Sequence, residues 1–563
     1  MNTAGTAPTT SASTTSIDGL CELLYPGGGP EVAQALRGLM GGVAGVPARG
    51  GRFRPGAGDA VLIAYGDQIR HAGEHPLATL ADVAHRRFPF LPVVHLLPFF
   101  PYSSDDGFSV IDYLSVDPAL GDWADIATLA ADKRLMFDAV VNHISARSPW
   151  FADYLAGRAP HADLALAVQP DADLSQVVRP RTSPLLTPFE AHDGVRYVWT
   201  TFSADQVDLN YGSPATLLSV VEVLLEYVRR GAAFLRLDAI AFAWKEVGSA
   251  SIHHPNTHRL VKLMRAVLDE VAPSVTLITE TNVPHAENVA YFGDGHDEAQ
   301  LVYNFALPPL VLHTFVAEDA TALSRWAADL TTAGGDTWFL NFLASHDGIG
   351  VRGVESILTP TEIDALARRT LDHDGLVGAR TMPDGSQRAY ELNINYFDAL
   401  SDPSGDEPLP RQIARFLCAH SIAVCLPGVP AVYAHSLVGS RGDRRAVDLT
   451  GVNRSINRAK LDRARLESEL DDPASLRHAV FEGLRGMLET RARLPELDPA
   501  VGHRVEDHGR DVFALRRGPL LCVHNVTGRD VTLAIAGVDE LTGQPLPGHL
   551  GPYSYAWVRT TES

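Results

Sequence analysis

Cysteine is scarce in this chain of 563 residues. The four present, Cys21, Cys418, Cys425 and Cys522, form no CxxC pair, and the 22 histidines show no zinc-ligand spacing. A disulfide framework and a zinc module are therefore excluded, and a reducing compartment suits the composition. Positive charge is also in short supply: 47 Lys and Arg face 68 Asp and Glu, for a net charge of −21. That is the wrong sign for a nucleic-acid binder; the acidity serves solubility, and an anionic substrate would need a local basic pocket. Long apolar runs are missing too, with none reaching the ~18 residues of a membrane span. Residues 1–16, rich in Thr, Ala and Ser, have neither the basic nor the apolar region of a secretory signal and read as a disordered tail. The expectation is a cytoplasmic protein, monomer or homodimer, with no nucleic-acid or membrane partner.

Apolar residues make up 45% of the chain, enough for a large core and more than one domain. Short apolar runs at 61–65, 93–97, 135–141, 232–237, 275–278, 301–303, 338–343 and 430–433 read as strands. Helical patterns separate most of them, at 80–88, 216–230, 257–271, 310–330 and 412–423, with 475–493 after the last. Eight strands alternating with helices predict an α/β fold, a (β/α)8 TIM barrel. Alternation fails after strand 3 and after strand 7. The expected division is therefore a tail (1–16), an N-terminal helical segment (17–60), a first barrel part (61–144) and an inserted subdomain (145–205). The second barrel part (206–496) holds an irregular insertion at 352–410, and a C-terminal β domain covers 497–563.

Polar residues mark the ends of the strands. Asn142 and His143 follow strand 3, Asp238 follows strand 4, Glu280 strand 5, and His346 and Asp347 strand 7. In a parallel barrel these ends form the active-site rim. Arg236 stands two residues before Asp238 on the same strand face, where its charge is expected to keep that carboxylate ionised. Alone, the pair reads equally as a structural ion pair, Glu280 as the partner of a helix N-terminus, and His143 as a satisfied buried histidine. Three carboxylates after three different strands favour glycosidic chemistry, in which one carboxylate attacks the anomeric carbon and another protonates the leaving oxygen. Glu280 is expected to have a raised pKa from the anions Asp238 and Asp347 and from the apolar strand beneath it.

The stretches Asp138-Ala-Val-Val-Asn-His143, Phe234-Leu-Arg-Leu-Asp238, Leu277-Ile-Thr-Glu280 and Ala344-Ser-His-Asp347 resemble the four signature regions of the α-amylase superfamily, glycoside hydrolase family 13, in order and barrel position. The resemblance implies Asp238 as nucleophile, Glu280 as acid/base and Asp347 as transition-state stabiliser, with Arg236, His143 and His346 beside them. It implies no cofactor. A calcium site, common in that superfamily, is not expected, because Asn142 has no acidic cluster with it in sequence.

Further stretches, among them His95-Leu-Leu-Pro-Phe-Phe-Pro101, Asn304-Phe-Ala-Leu-Pro308 and Ser455-Ile-Asn-Arg458, are similar to the sucrose phosphorylase subgroup. That similarity implies Asp105, with Asp106 as its rival, and Arg458 at the far side of a glucose ring. It also implies Phe202 and Gln206 on the acceptor side and Arg181 on phosphate. A single loop arginine is more often solvated surface charge, but phosphate does require a planar, cationic donor. Thr381-Met-Pro-Asp-Gly-Ser-Gln387 and Ser436-Leu-Val-Gly-Ser-Arg-Gly-Asp443 look more like the branch that cleaves glucosylglycerate. A glycerate carboxylate calls for an extra cation, with Arg380, Arg388, Arg441 and Arg444 as candidates. The expected activity is a retaining glucoside phosphorylase, with glucoside and inorganic phosphate as small-molecule partners. Alternatives are a sucrose phosphorylase, an α-glucosidase of the same superfamily, and a non-catalytic homologue, against which the intact carboxylates argue.

Overall fold

The strands are short because each need only cross a barrel wall, and apolar on both faces because helices cover one side and packed side chains fill the other. In the computed structural model, which describes residues 15–43, 51–331, 334–382 and 385–560, they are Val61–Ala64 (β1), Val93–Leu96 (β2), Arg134–Ala139 (β3), Ala232–Leu237 (β4), Thr276–Thr279 (β5), Leu301–Tyr303 (β6), Trp338–Phe342 (β7) and Val429–Tyr433 (β8). All neighbours are parallel and the sheet closes, β1 pairing with both β2 and β8. Most of the expected tail, and the end of the N-terminal helical pattern at 44–50, lie outside the described residues.

Local sequence sets the helix starts. Proline opens Pro76–Arg87, Pro214–Arg229 and Pro255–Val271, where its fixed φ fits and its missing N–H goes unneeded. Reciprocal capping boxes start Trp123–Leu129 (Asp122 with Asp125) and Pro360–Asp372 (Thr359 with Glu362). The helix expected over 310–330 is two, Leu307–Ala317 and Thr321–Ala328. Glu318 between them adopts a left-handed conformation (φ 49°) and accepts hydrogen bonds from Gly528 N at 2.9 Å and Tyr553 Oη at 3.1 Å. A tertiary contact thus breaks a helix whose apolar period runs on.

The two insertions are more ordered than the sequence pattern implies. After β3, strand His143–Ser145 pairs with Gln206–Asp208, which closes the stem of the first insertion. Beyond the stem lie helix Pro149–Leu155 and the hairpin Leu186–Ala191 with Gly194–Trp199. After β7, helix Pro360–Asp372 precedes a hairpin of Leu376–Thr381 and Gln387–Asn393. Helix Leu476–Arg493 follows β8. The chain ends in a five-stranded sheet that contains Val512–Arg517 and Leu520–Asn525. The sheet docks on helix Leu409–Cys425, where Trp557 Nε1 donates to Ser421 Oγ at 3.0 Å and Arg517 Nη1 donates to Cys425 O at 2.7 Å.

Candidate active site

Register brings the charges together at the C-terminal end of the barrel. β3 and β4 pair so that Asp138 lies opposite Arg236. Arg236 Nη1 donates to Asp138 and, at 2.8 Å, to Asp238 Oδ1, while its Nη2 stands 3.9 Å from Glu280 Oε2. His95 Nε2 meets the other Asp138 oxygen at 2.7 Å. The cation on β4 is therefore bound from below by a carboxylate on β3 and serves two carboxylates above. Ala239 follows in a left-handed conformation (φ 48°), which for a non-glycine costs about 1–2 kcal/mol. That turn directs its N–H to Glu280 Oε2 at 2.9 Å.

Burial pushes Glu280 up from its ordinary value of 4.5 to about 7; Arg236 opposes the shift, and Asp238 and Asp347 add to it. Burial also raises Asp238, against Arg236. The expectation that Arg236 keeps Asp238 ionised needs this correction: burial, which works against the charge, is the larger effect, and the guanidinium is shared with Asp138. Of the two carboxylates, the one 2.8 Å from the cation keeps its charge more readily than the one at 3.9 Å, so the proton resides on Glu280. Burial and the charges of Arg458 and Arg236 hold His346 well below its ordinary range, so it is neutral. Its ring stacks on Phe108 at 4.7 Å.

Above these groups opens a cavity of about 860 Å³. Asp105, His143, Arg181, Phe202, Gln206, Asp238, Glu280, His346 and Asp347, all singled out in sequence, line it. Arg236 and Arg458 do not line it but lie behind the carboxylates. Arg458 Nη1 donates to Asp105 Oδ1 at 3.1 Å, and its Nε donates to His346 O at 3.0 Å. Burial works against the Asp105 charge, yet Arg458 and Arg454 outweigh it and hold that carboxyl below its usual range. Asp106 faces Lys460 at 3.3 Å and does not line the cavity, which separates the two rivals. His143 Nε2 lies 2.9 Å from Phe108 O and 3.2 Å from Gln206 Nε2.

The first insertion supplies Arg181. Its guanidinium carbon stands 5.2 Å from the Tyr390 ring centre and 5.8 Å from that of Phe202. Among the described residues it has no carboxylate within 4.0 Å, and its one hydrogen bond is a long one, 3.5 Å, to Pro180 O. A lining cation without a counter-charge is an anion site in waiting. The arginines suggested for an acceptor carboxylate are placed otherwise. Arg380 pairs with Glu355, Arg441 with Asp398 and Gln412, and Arg444 with Asp374 and Asp448. Arg388, opposite Arg380 on the hairpin, is exposed, and none of the four lines the cavity.

Arg454 was not singled out in sequence, yet it lines the cavity and stands half-buried in a ring of carboxylates. Its Nη1 lies 2.6 Å from Asp347 Oδ1 and 3.9 Å from Asp105 Oδ2, and its Nη2 lies 3.0 Å from Glu391 Oε1. The available signal was an arginine one helical turn ahead of Arg458. Glu391 and Tyr390 come from the second hairpin. Glu391 Oε1 also accepts from Gly348 N at 3.0 Å, and a Cβ at Gly348 would stand 2.6 Å from Leu392 O. The glycine after Asp347 is thus what lets the hairpin close over β7.

Known proteins resemble this chain in sequence and in fold. The α-amylase catalytic-domain family matches residues 91–350. The chain is 50% identical over 505 residues to a glucosylglycerate phosphorylase of Allomeiothermus silvanus, covering 89% of this chain and 91% of that one. It is 47% identical to a glucosylglycerate phosphorylase of Spirochaeta thermophila, covering 91% and 89%. In fold it is similar to the crystal structure of a sucrose 6F-phosphate phosphorylase from Thermoanaerobacter thermosaccharolyticum, with a TM-score of 0.72, 23% identity, and coverage of 86% and 96%. The chain belongs to the α-amylase superfamily, in its branch of glucoside phosphorylases.

Proposed function

We propose that this protein is a retaining phosphorylase that moves glucose from 2-O-α-glucosylglycerate to inorganic phosphate. Asp238 attacks the anomeric carbon as the bond to the glycerate oxygen breaks, and Glu280 gives its proton to that oxygen. Glycerate leaves with its hydroxyl restored and glucose remains as an ester on Asp238. A phosphate oxygen then attacks the same carbon, Glu280 takes the phosphate proton, and the Asp238 carboxylate departs. Two inversions give α-glucose 1-phosphate.

The observation that carries this reading is the pairing of Glu280, raised to about 7, with Asp238 on Arg236, beneath an arginine with no counter-charge. A group near neutrality can act as acid in one half-reaction and base in the next. Asp347 and Asp105 are assigned to the ring hydroxyls, with Arg458 and Arg454 holding them. His143, His346, Phe202 and Gln206 complete the walls. Arg181 is assigned to the anion in each half, first the glycerate carboxylate and then phosphate. The insertions at 145–205 and 352–410 cover the site and keep water from the ester. The glycerate donor is supported by the naming of the relatives above. A cytoplasmic location, where phosphate and reduced thiols are at hand, is part of the same reading; all four cysteines are buried and unpaired.

Purified protein incubated with glucosylglycerate, or separately with sucrose, each with and without phosphate, tests the reading. Phosphate-dependent α-glucose 1-phosphate from glucosylglycerate alone is the expected result. Product from sucrose alone overturns the donor, and free glucose regardless of phosphate overturns phosphorolysis.

A further inference from the structure

Two thiols meet at the seam between the barrel and the C-terminal sheet. Helix Leu409–Cys425 turns Cys418, Ser421 and Cys425 toward that sheet, at spacings of three and four residues that keep them on one face. Cys418 Sγ reaches Asn525 O at 3.7 Å, Ser421 Oγ lies 2.9 Å from His524 Nε2, and Cys425 hydrogen-bonds to Cys522 and His524. Rising residues of the helix thus meet falling residues of strand Leu520–Asn525, so the two run antiparallel. The four residues from Ser421 to Cys425 cover about 6 Å of helix, and the two from His524 to Cys522 cover about 6.7 Å of strand. That match seats Cys425 over Cys522. The three helix side chains are small, which lets the backbones approach.

The pair lies beside a buried cation. Arg517, on the paired strand Val512–Arg517, is fully buried. It donates to Cys425 O at 2.7 Å, Asp498 O at 2.7 Å and Val501 O at 3.1 Å, and its Nε has no partner. Among the described residues no carboxylate lies within 4.0 Å of it. Burial pulls the Arg517 pKa down, and the Cys425 and Cys522 thiols oppose this more than Asp498 does. Burial pushes the Cys425 thiol up, but Cys522, His524 and Arg517 outweigh it and bring the group down to about 5. Cys522 is held well above its ordinary value by burial and by Cys425. One sulfur is thus suited to attack and its neighbour to resolve. Cys21 shows the inert case: burial, then Asp18, push its thiol up to about 11.

We propose that Cys425 and Cys522 form an oxidation site that closes to a disulfide under peroxide and staples the C-terminal sheet to the barrel. The Cys425 thiolate attacks one peroxide oxygen. The O–O bond breaks, hydroxide leaves and takes up a proton as water, and Cys425 becomes a sulfenic acid. Cys522 then attacks that sulfur, and its proton departs with the sulfenic hydroxyl as a second water. Two thiols lose two electrons and two protons, and one peroxide becomes two waters. Thiol reductants reverse the bond by exchange. The helix leads into β8 at the end of the barrel remote from Asp238, so the bridge lies away from the cavity. Both sulfurs are buried, so the reaction waits on partial opening of the sheet.

The test uses the full chain, reduced and then exposed to hydrogen peroxide with and without sub-denaturing urea. The protein is alkylated under denaturing conditions and mapped by mass spectrometry without reduction. The expected product is one linked peptide pair, Cys425 with Cys522, two hydrogens lighter than its parts, with Cys21 and Cys418 alkylated. Urea is expected to speed its formation. The bridge closes a ring of roughly a hundred residues, so the oxidised protein should melt about 4 °C above the reduced one and return with dithiothreitol. Cys522→Ser should show neither bridge nor shift and should leave a Cys425 sulfenic acid that dimedone traps. Cys418→Ser should behave as the wild type. These readouts stand whatever reaction the cavity performs. Four alkylated cysteines under both conditions, a bridge through Cys21 or Cys418, or an equal shift in Cys522→Ser overturns the proposal, as does a bridged protein that melts no higher. If Cys522→Ser does not fold, the wild-type map decides: a reversible bridge between Cys425 and Cys522 supports the proposal, and its absence overturns it.

Discussion

Glu280→Gln removes a titration and leaves the shape of the site unchanged. In the folded protein burial, then the anions Asp238 and Asp347, raise this carboxyl from 4.5 to about 7. A group raised on folding contributes stability that is complete below its unfolded pKa and lost as pH rises through its folded value. Near pH 5 the folded carboxyl is protonated and costs little; at pH 8 the charge is forced on it. The difference between those two pH values is ~2.5 kcal/mol. Glutamine, which can still accept from Ala239 N, never bears that cost. With ~2.1 cal/mol/K of unfolding entropy per residue, a chain of 563 residues has a slope of ~1.2 kcal/mol/K. Glu280→Gln should therefore gain about 2 °C in Tm over the wild type on going from pH 5 to pH 8. Differential scanning calorimetry of both proteins across that range is the assay. The same variant should lose turnover of glucosylglycerate, whose leaving oxygen needs a proton. A Tm difference independent of pH, or a variant that destabilises more at pH 8, would refute the charge placement.

Other perturbations separate the roles of the remaining groups. Asp238→Asn should lower kcat by ~10⁴-fold or more with the fold intact, as judged by an unchanged circular dichroism spectrum. Arg181→Ala should raise KM for phosphate by roughly 10–100-fold, the equivalent of one charge-assisted contact, and raise the share of hydrolysis; equal phosphate kinetics would remove Arg181 from the anion site. Arg454→Met leaves Asp347 and Glu391 without their cation, at a cost in stability below the about 3–5 kcal/mol of a fully buried pair, because Arg454 and Asp347 are partly exposed. It should cut kcat/KM, and Arg454→Lys should restore part of both. The acid limb of Glu280 predicts that kcat/KM for glucosylglycerate falls as pH rises through about 7, read from initial rates between pH 5 and 9.

The barrel was legible because its strands are short buried runs bounded by polar or turn residues, and because a rim of carboxylates requires the strands to end together. β4 and β6 have the bounds that their apolar runs suggest. Helix 310–330 failed at Glu318, whose side-chain carboxylate is taken up by a loop about 210 residues away in sequence, beyond the reach of local periodicity. The insertions looked irregular because hairpins that pack against a cavity mix polar and apolar residues. That concealed the place of Tyr390 and Glu391 in the cavity wall, and with it the purpose of Arg454. The loop arginines illustrate the remaining limit. Arg181 and Arg380 have the same chemistry, but only the fold brings Glu355 to one and leaves the other facing the cavity without a counter-charge.

The central claim is that glucose passes through an ester on Asp238 to phosphate. It is tested most directly by incubating Glu280→Gln with α-glucosyl fluoride, whose leaving group needs no proton, and weighing the quenched protein. The expected result is a gain of one anhydroglucose unit on the peptide that contains Asp238. With wild-type protein under the same conditions, phosphate should discharge that unit as the α-anomer of glucose 1-phosphate. Label on another residue, no label, or the β-anomer as first product would contradict the mechanism.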